Sequence, residues 1–190
     1  MAIRLHEAHP SLVHFPLSFL PLSVAADAAG EVLDRDDLRQ LGRLTMPLAA
    51  GAAAVAGVSG LVAQQEVEGS DHAFDMLITH RNLNLLVGSL AAGLAGWRWG
   101  RDRVGAGYLA AAVASIGTMF YSAWVGGEMV YSHGMGVRAA GGVREDVPEL
   151  SREDAGRAAS RAAENLVEGG RLTAEETAEG KIAPSVGGEH

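Results

Sequence analysis

The sequence contains no cysteine, which excludes disulfides, thiolate nucleophiles and Cys-ligated zinc or iron–sulfur clusters within this chain. Any metal or haem must therefore be held by His, Met, carboxylate or backbone groups. Aromatic residues are scarce at 5%, although 48% of the 190 residues are hydrophobic, so the apolar content is mostly Ala, Leu, Val and Gly. Such small side chains pack a water-soluble core poorly but suit helices that approach closely inside a bilayer. Basic residues are in deficit, 15 Lys and Arg against 23 Asp and Glu for a net charge of −8, which argues against nucleic-acid binding. No nucleophile with a base, phosphate-cradling loop or carboxylate pair in a cleft is identifiable, so a stand-alone enzyme is not expected.

Four stretches come near the roughly 20 apolar residues that cross the hydrocarbon core of a bilayer: 11–33, 44–63, 77–99 and 105–131. Ahead of the first stands a single arginine, Arg4, where a signal peptide would carry a basic run, so this stretch is read as a retained span. The connections 34–43 and 98–103 carry three arginines each. By the positive-inside rule they face the cytoplasm, which puts both termini outside. Arg138 and Arg144, just past the fourth stretch, pull the other way but are outweighed. Trp97 and Trp99 beside the second arginine group fit interfacial anchors. The expected architecture is an all-α polytopic membrane protein: a four-transmembrane-helix bundle over 1–137 and a flexible, acidic C-terminal tail over 138–190. In the tail, Ser151-Arg152-Glu153-Asp154 resembles a capping box and predicts one short surface helix over 155–167. Beyond Gly169-Gly170 the composition is charged and Gly/Ala-rich, which predicts flexibility.

Of seven histidines, His190 ends the tail. The other six, His6, His9, His14, His72, His80 and His133, fall on the non-cytoplasmic side under this topology. Imidazole is a natural neutral ligand for haem iron, copper or zinc. Two from different helices can clamp a planar haem, and three or four can hold a metal ion. The bland alternative is that they cap helix ends or sit at headgroup depth, where polar side chains are tolerated.

In the third stretch His80 and Asn84 are spaced i, i+4 and share a helical face. Arg81 beside them either snorkels to headgroups or pairs an anionic group such as a haem propionate. Asp27 and Glu31, also i, i+4, lie about 20 Å along the first helix from His14 and read as an interfacial carboxylate pair beside Arg35. Gly126 and Gly127 inside the fourth stretch cost about 1 kcal/mol each relative to Ala, which predicts close approach of a neighbouring helix or a flat cofactor.

Taken in order, His9-Pro10-Ser11-Leu12-Val13-His14-Phe15-Pro16-Leu17, Asp27, His80-Arg81-Asn82-Leu83-Asn84, and Gly126-Gly127-Glu128-Met129-Val130-Tyr131 with Gly134-Met135-Gly136-Val137 resemble the motifs of a bacterial four-helix membrane family, domain of unknown function 2231. The resemblance covers roughly residues 5 to 137 and leaves the tail outside. It implies a multi-pass protein of the bacterial inner membrane. Some relatives carry a fused Rieske-type iron–sulfur domain, an association that points toward membrane electron transfer. This tail has no cysteine and is not such a domain, so any redox partner is a separate protein.

The leading functional expectation is a b-type haem or other redox centre at the outer leaflet, with His14 and His80 as the axial pair, His9 and His133 as alternates, Arg81 near a propionate and Asn84 on the same face. The alternatives are a metal-ion site built from His9, His14, His80 and His133 with Glu128 or Asp71, and a structural or accessory membrane protein without cofactor. Expected partners are the lipid bilayer, a redox protein or quinone, and a second copy of the chain.

Overall fold

The computed structural model describes residues 3–187; His190 lies outside the described residues. Those residues are helical, with no strand and only two isolated bridges, Arg4 with Glu149 and Val67 with Val143. The helices are α1 (Ala8–Leu12), α2 (His14–Leu33), α3 (Asp36–Ala63), α4 (Asp71–Arg98), α5 (Ala106–Tyr131), α6 (Ala155–Ala178) and α7 (Pro184–Gly187). Pro16 has no N–H for the Leu12 carbonyl, and the chain breaks helix at Val13, between α1 and α2.

Among the described residues, three segments are long and apolar enough to cross a membrane: Leu5–Leu33, Asp36–Ala63 and Ala106–Tyr131. Large apolar side chains lie exposed along them, among them Leu44, Leu48, Val55, Val113, Phe120 and Trp124. Bare apolar surface of this kind is costly in water and suited to lipid. The stretch expected as a third span falls in α4, which is 28 residues long but is not among the three. Asp71, His72, Asp75, His80, Arg81 and Asn82 fill its first half. The connection expected over 34–43 is largely helix, because Asp36 and Asp37 stabilise the N-terminus of α3.

The chain groups into two compact units. The unit formed by Leu12–Ala56 and Leu83–Tyr121 is centred on Leu20, Val24, Met46, Ala49, Val87, Leu94, Tyr108, Ala112 and Met119. At one end its two arginine-bearing connections meet: Arg43 reaches Asp102 at 3.1 Å, and Arg98 Nη2 donates to the Arg39 carbonyl at 2.9 Å. Asp34 caps α2 at a left-handed φ of 50°, and its carboxylate accepts from Arg39 at 2.6 Å and Arg103 at 2.5 Å. Those hydrogen bonds hold the Asp34 carboxyl below the usual carboxylate range.

Asp27 is not part of a surface pair with Glu31. It is fully buried and ion-paired with the equally buried Arg98 at 3.1 Å, and Tyr108 Oη donates to its Oδ2 at 3.1 Å. Glu31 pairs with Arg39 and Arg103 instead, and Arg35 binds Asp37. A partly hydrated carboxylate can stay unpaired. A fully desolvated one needs its charge matched, and Arg98 is what matches it.

The other unit comprises residues up to Ser11, Gly57–Asn82, and the chain from Ser122 onward. Leu5, Val62, Val143 and Val147 form one of its clusters; Ala73, Met76, Val125, Met129 and Met135 form another. Helix α6 begins one residue after Asp154, its N-cap, which makes no side-chain capping hydrogen bond; the Asp154 N–H donates to Ser151 Oγ at 3.1 Å, only one of the two bonds of the expected capping box. It then runs to Ala178 through Gly169 and Gly170, well past the short helix expected. The reason is tertiary. Glu66, fully buried, accepts from Arg161 at 2.7 Å and also from Asn165. Gly169 lies so close to α3 that a Cβ there would sit 2.6 Å from the Leu61 carbonyl. Contacts of this kind hold a helix that propensity alone would not.

Candidate functional site

Five of the six expected histidines fall in one unit, and His14 in the other. His14 is exposed on α2, its carbonyl accepting from Ser18 Oγ at 2.8 Å. Asn84 is half-buried in the same unit as His14.

The residues brought together are His9 on α1 and His80 on α4. Their ring centroids are 6.3 Å apart and their planes cross at 82°. Each ring is fixed by a hydrogen bond and seated on a glycine. His80 Nδ1 lies 2.8 Å from the Ser122 carbonyl. A carbonyl only accepts, so Nδ1 carries the proton, and in the neutral ring the lone pair is on Nε2. Ser122 Oγ also stands 3.1 Å from that nitrogen. His9 Nδ1 is 3.2 Å from Ser59 Oγ. A Cβ added at Gly126 would come within 2.8 Å of His80 Cε1, and one at Gly60 within 3.1 Å of His9 Cε1. The close approach expected at Gly126-Gly127 is thus made by Gly126 to an imidazole; Gly127 has only the Tyr131 ring, at 4.0 Å.

His72 and His133 form a second, exposed pair with centroids 5.3 Å apart. His6 is buried, its Nδ1 without a hydrogen-bond partner. No group of three or more His, Asp or Glu side chains able to hold a metal ion occurs among the described residues. Arg81 does not snorkel: its side chain is 8% exposed and ion-paired with Glu176 at 2.7 Å. A cleft of about 590 Å³ opens elsewhere in this unit, between residues 145–149 and α6, lined by Arg4, Asp146, Glu149, Arg157, Arg161 and Glu164 among others. It contains no histidine.

Residues 5–139 match the family described as predicted membrane protein (DUF2231). The chain belongs to that family. The match takes in α1 to α5 and His6, His9, His14, His72, His80 and His133, while α6 and α7 lie outside it. No curated protein and no solved structure matches the chain. In this DUF2231 protein, sequence reasoning placed His80 and His9 among the candidate ligands but favoured His14 as the partner. It missed Ser59, Ser122 and Glu176, whose roles become visible only once the helices are assembled. Gly126 was the usable signal: a glycine inside an apolar helix marks a place where something must come close.

Proposed function

We propose that this protein crosses the bacterial inner membrane four times, with residues 138–190 outside the bilayer and both termini on the non-cytoplasmic side, and binds a b-type haem between His9 and His80. The observation that carries the reading is the pair of oriented imidazoles. Two histidines that would hold one haem iron would each turn a ring nitrogen toward it, and the two ring centroids stand 6.3 Å apart here. Metal-bound histidines characteristically donate their other ring N–H to a carbonyl or similar acceptor, which fixes tautomer and orientation. His80 is held in that way by Ser122. The two glycines leave room beside the rings where any other residue would crowd them.

When bound, haem supplies a one-electron redox couple. The chain's own part is to aim Nε2 of each histidine, exclude water with the apolar helices and leave exchange of electrons to a quinone or a separate redox protein. The meeting of the two arginine-bearing connections at one end of their unit supports placing that end in the cytoplasm.

The test is a visible absorption spectrum of the full chain, expressed with ample haem and purified in mild detergent, before and after dithionite. A Soret band that sharpens on reduction is expected. It should vanish in His9→Ala and in His80→Ala and survive in His14→Ala and His133→Ala. A featureless spectrum from haem-replete cells, or a band that persists in the His9→Ala/His80→Ala double variant, would refute the reading.

A further inference from the structure

Arg81 follows His80 on α4. A guanidinium carries five N–H donors and keeps its charge at any physiological pH, so burying it demands both a counter-charge and acceptors. Glu176 of α6 supplies the first, with Oε2 2.7 Å from Nη1. The second is incomplete. Arg81 Nε donates to Asn82 Oδ1 at 3.2 Å, but Nη2 is buried with no hydrogen-bond partner. The pair is balanced in charge, with one guanidinium nitrogen left unmatched in hydrogen bonding. An arginine fork whose donors are matched takes two oxygens of one acid group side by side.

What keeps Glu176 in place is a set of exchangeable contacts. The segment after α6 lies on the same turn of α4. There Asn82 Nδ2 donates to the carbonyls of Lys181 and Ile182 at 3.1 and 2.8 Å, and Ser185 donates to Thr79 Oγ1 through its N–H at 3.2 Å and its hydroxyl at 2.8 Å. Hydrogen bonds between neutral groups contribute modestly and exchange readily for water. Arg81 also lies inside the stretch 5–139 that matches the family, whereas Glu176 lies outside it.

We propose that Arg81 is a binding site for the acid group, carboxylate or phosphate, of a small amphiphilic ligand, and that Glu176 is its stand-in, leaving with the C-terminal strap when the ligand enters. The two acid oxygens meet Nη1 and Nη2 together, and Glu176 moves into water, where its charge is solvated. This does not require the haem reading: haem carboxylates are one source of such a group and the phosphate of an anionic lipid is another.

The experiment measures binding of three probes, hemin, phosphatidylglycerol in mixed micelles and inorganic phosphate at matched ionic strength, to the full chain in neutral detergent. Wild type is compared with Glu176→Gln and with Arg81→Gln/Glu176→Gln. A strap closed nine-tenths of the time lowers apparent affinity about tenfold, so Glu176→Gln should bind at least one probe about tenfold more tightly, and the double variant should lose the gain. Which probe gains tells haem carboxylate, lipid phosphate and free phosphate apart. Ser185→Ala, which loosens the strap and leaves the ion pair intact, should tighten binding of the same probe. No tightening in either single variant, or an equal gain in the double variant, overturns the proposal. Hemin that binds all variants equally, with a His9- and His80-dependent spectrum, leaves the haem reading standing and removes this one. A gain for phosphate or lipid without any hemin binding does the reverse.

Discussion

Replacing Gly42 by alanine should destabilise the protein, and the same replacement should stabilise it once Asp27 is gone. Gly42 lies in the second turn of α3, and a Cβ built there falls 2.2 Å from Asp27 Oδ1 and 2.5 Å from its Cγ. The carboxylate has no freedom to retreat. It is held by Arg98 at 3.1 Å and by Tyr108 at 3.1 Å, and Ser23 Oγ donates to the Gly42 carbonyl at 2.9 Å, fixing α2 against α3. Pushing Asp27 aside loosens a buried ion pair, and fully breaking such a pair costs about 3–5 kcal/mol. Partial relaxation puts Gly42→Ala at about 2–4 kcal/mol, below that full cost. In an Asp27→Ala background the obstruction is absent, and alanine gains its helix-propensity advantage of about 1 kcal/mol over glycine. Unfolding of the four proteins in detergent micelles, as a double-mutant cycle, should give a coupling of about 3–5 kcal/mol, at or above the upper end of what contacting residues show. If Gly42→Ala shifts stability by the same amount in both backgrounds, Asp27 and Gly42 do not meet as described and the buried network is wrong.

Acid should weaken the end of this unit that carries Asp34. The folded-state pKa of Asp34 lies below its unfolded value of about 3.9, because Arg39, and then Arg103, bind its charged form. Its contribution is therefore present above the unfolded pKa and lost as pH falls through the folded one. Asp34→Asn, which keeps a residue tolerant of the left-handed φ, should flatten the stability profile below about pH 4 and leave the slope near neutrality unchanged. An acid limb identical to wild type would show that Asp34 does not contribute. Gly126→Ala, whose Cβ would stand 2.8 Å from His80 Cε1, should reduce haem content in the purified protein more than Gly127→Ala does, since Gly127 faces only Tyr131 at 4.0 Å. Equal haem content in the two variants would mean that Gly126 does not seat the His80 ring.

Much of the fold was legible because the bilayer imposes a simple length rule. The apolar runs at 11–33, 44–63 and 105–131 coincide to within a residue with, or lie within, the segments found to be long and apolar enough to span, and the arginines at 35, 39, 43, 98, 101 and 103 marked the helix ends and turns that meet at one end of their unit. What remained hidden was contact between residues far apart in sequence. Asp27 and Arg98 are 71 positions apart, and nothing in either neighbourhood says that they share a dry socket; read locally, both are ordinary charges at helix ends. Helix α6 was underestimated because Gly169-Gly170 reads as a breaker, whereas Gly169 is where α6 must touch the Leu61 carbonyl. His9 and His80 were both singled out, but their pairing depends on the break at Val13, which leaves His9 on α1 while His14 begins α2.

The unit that holds the two histidines joins the chain's early residues to its late ones. Leu5 N–H donates to the Pro148 carbonyl at 3.2 Å and Leu150 N–H to that of Ile3 at 2.7 Å, while Glu66 waits for Arg161 and Asn165, 95 and 99 positions later. Contacts of such long loop length are entropically late in folding. During synthesis the unit around Asp27 has all its residues by Tyr121 and can close while the ribosome is still at work. The unit around His80 cannot, because residues 148–176 must first emerge. A stalled or truncated product would then lack Arg161, Asn165 and Glu176, and leave Glu66 and Arg81 without the partners that neutralise them in the finished chain.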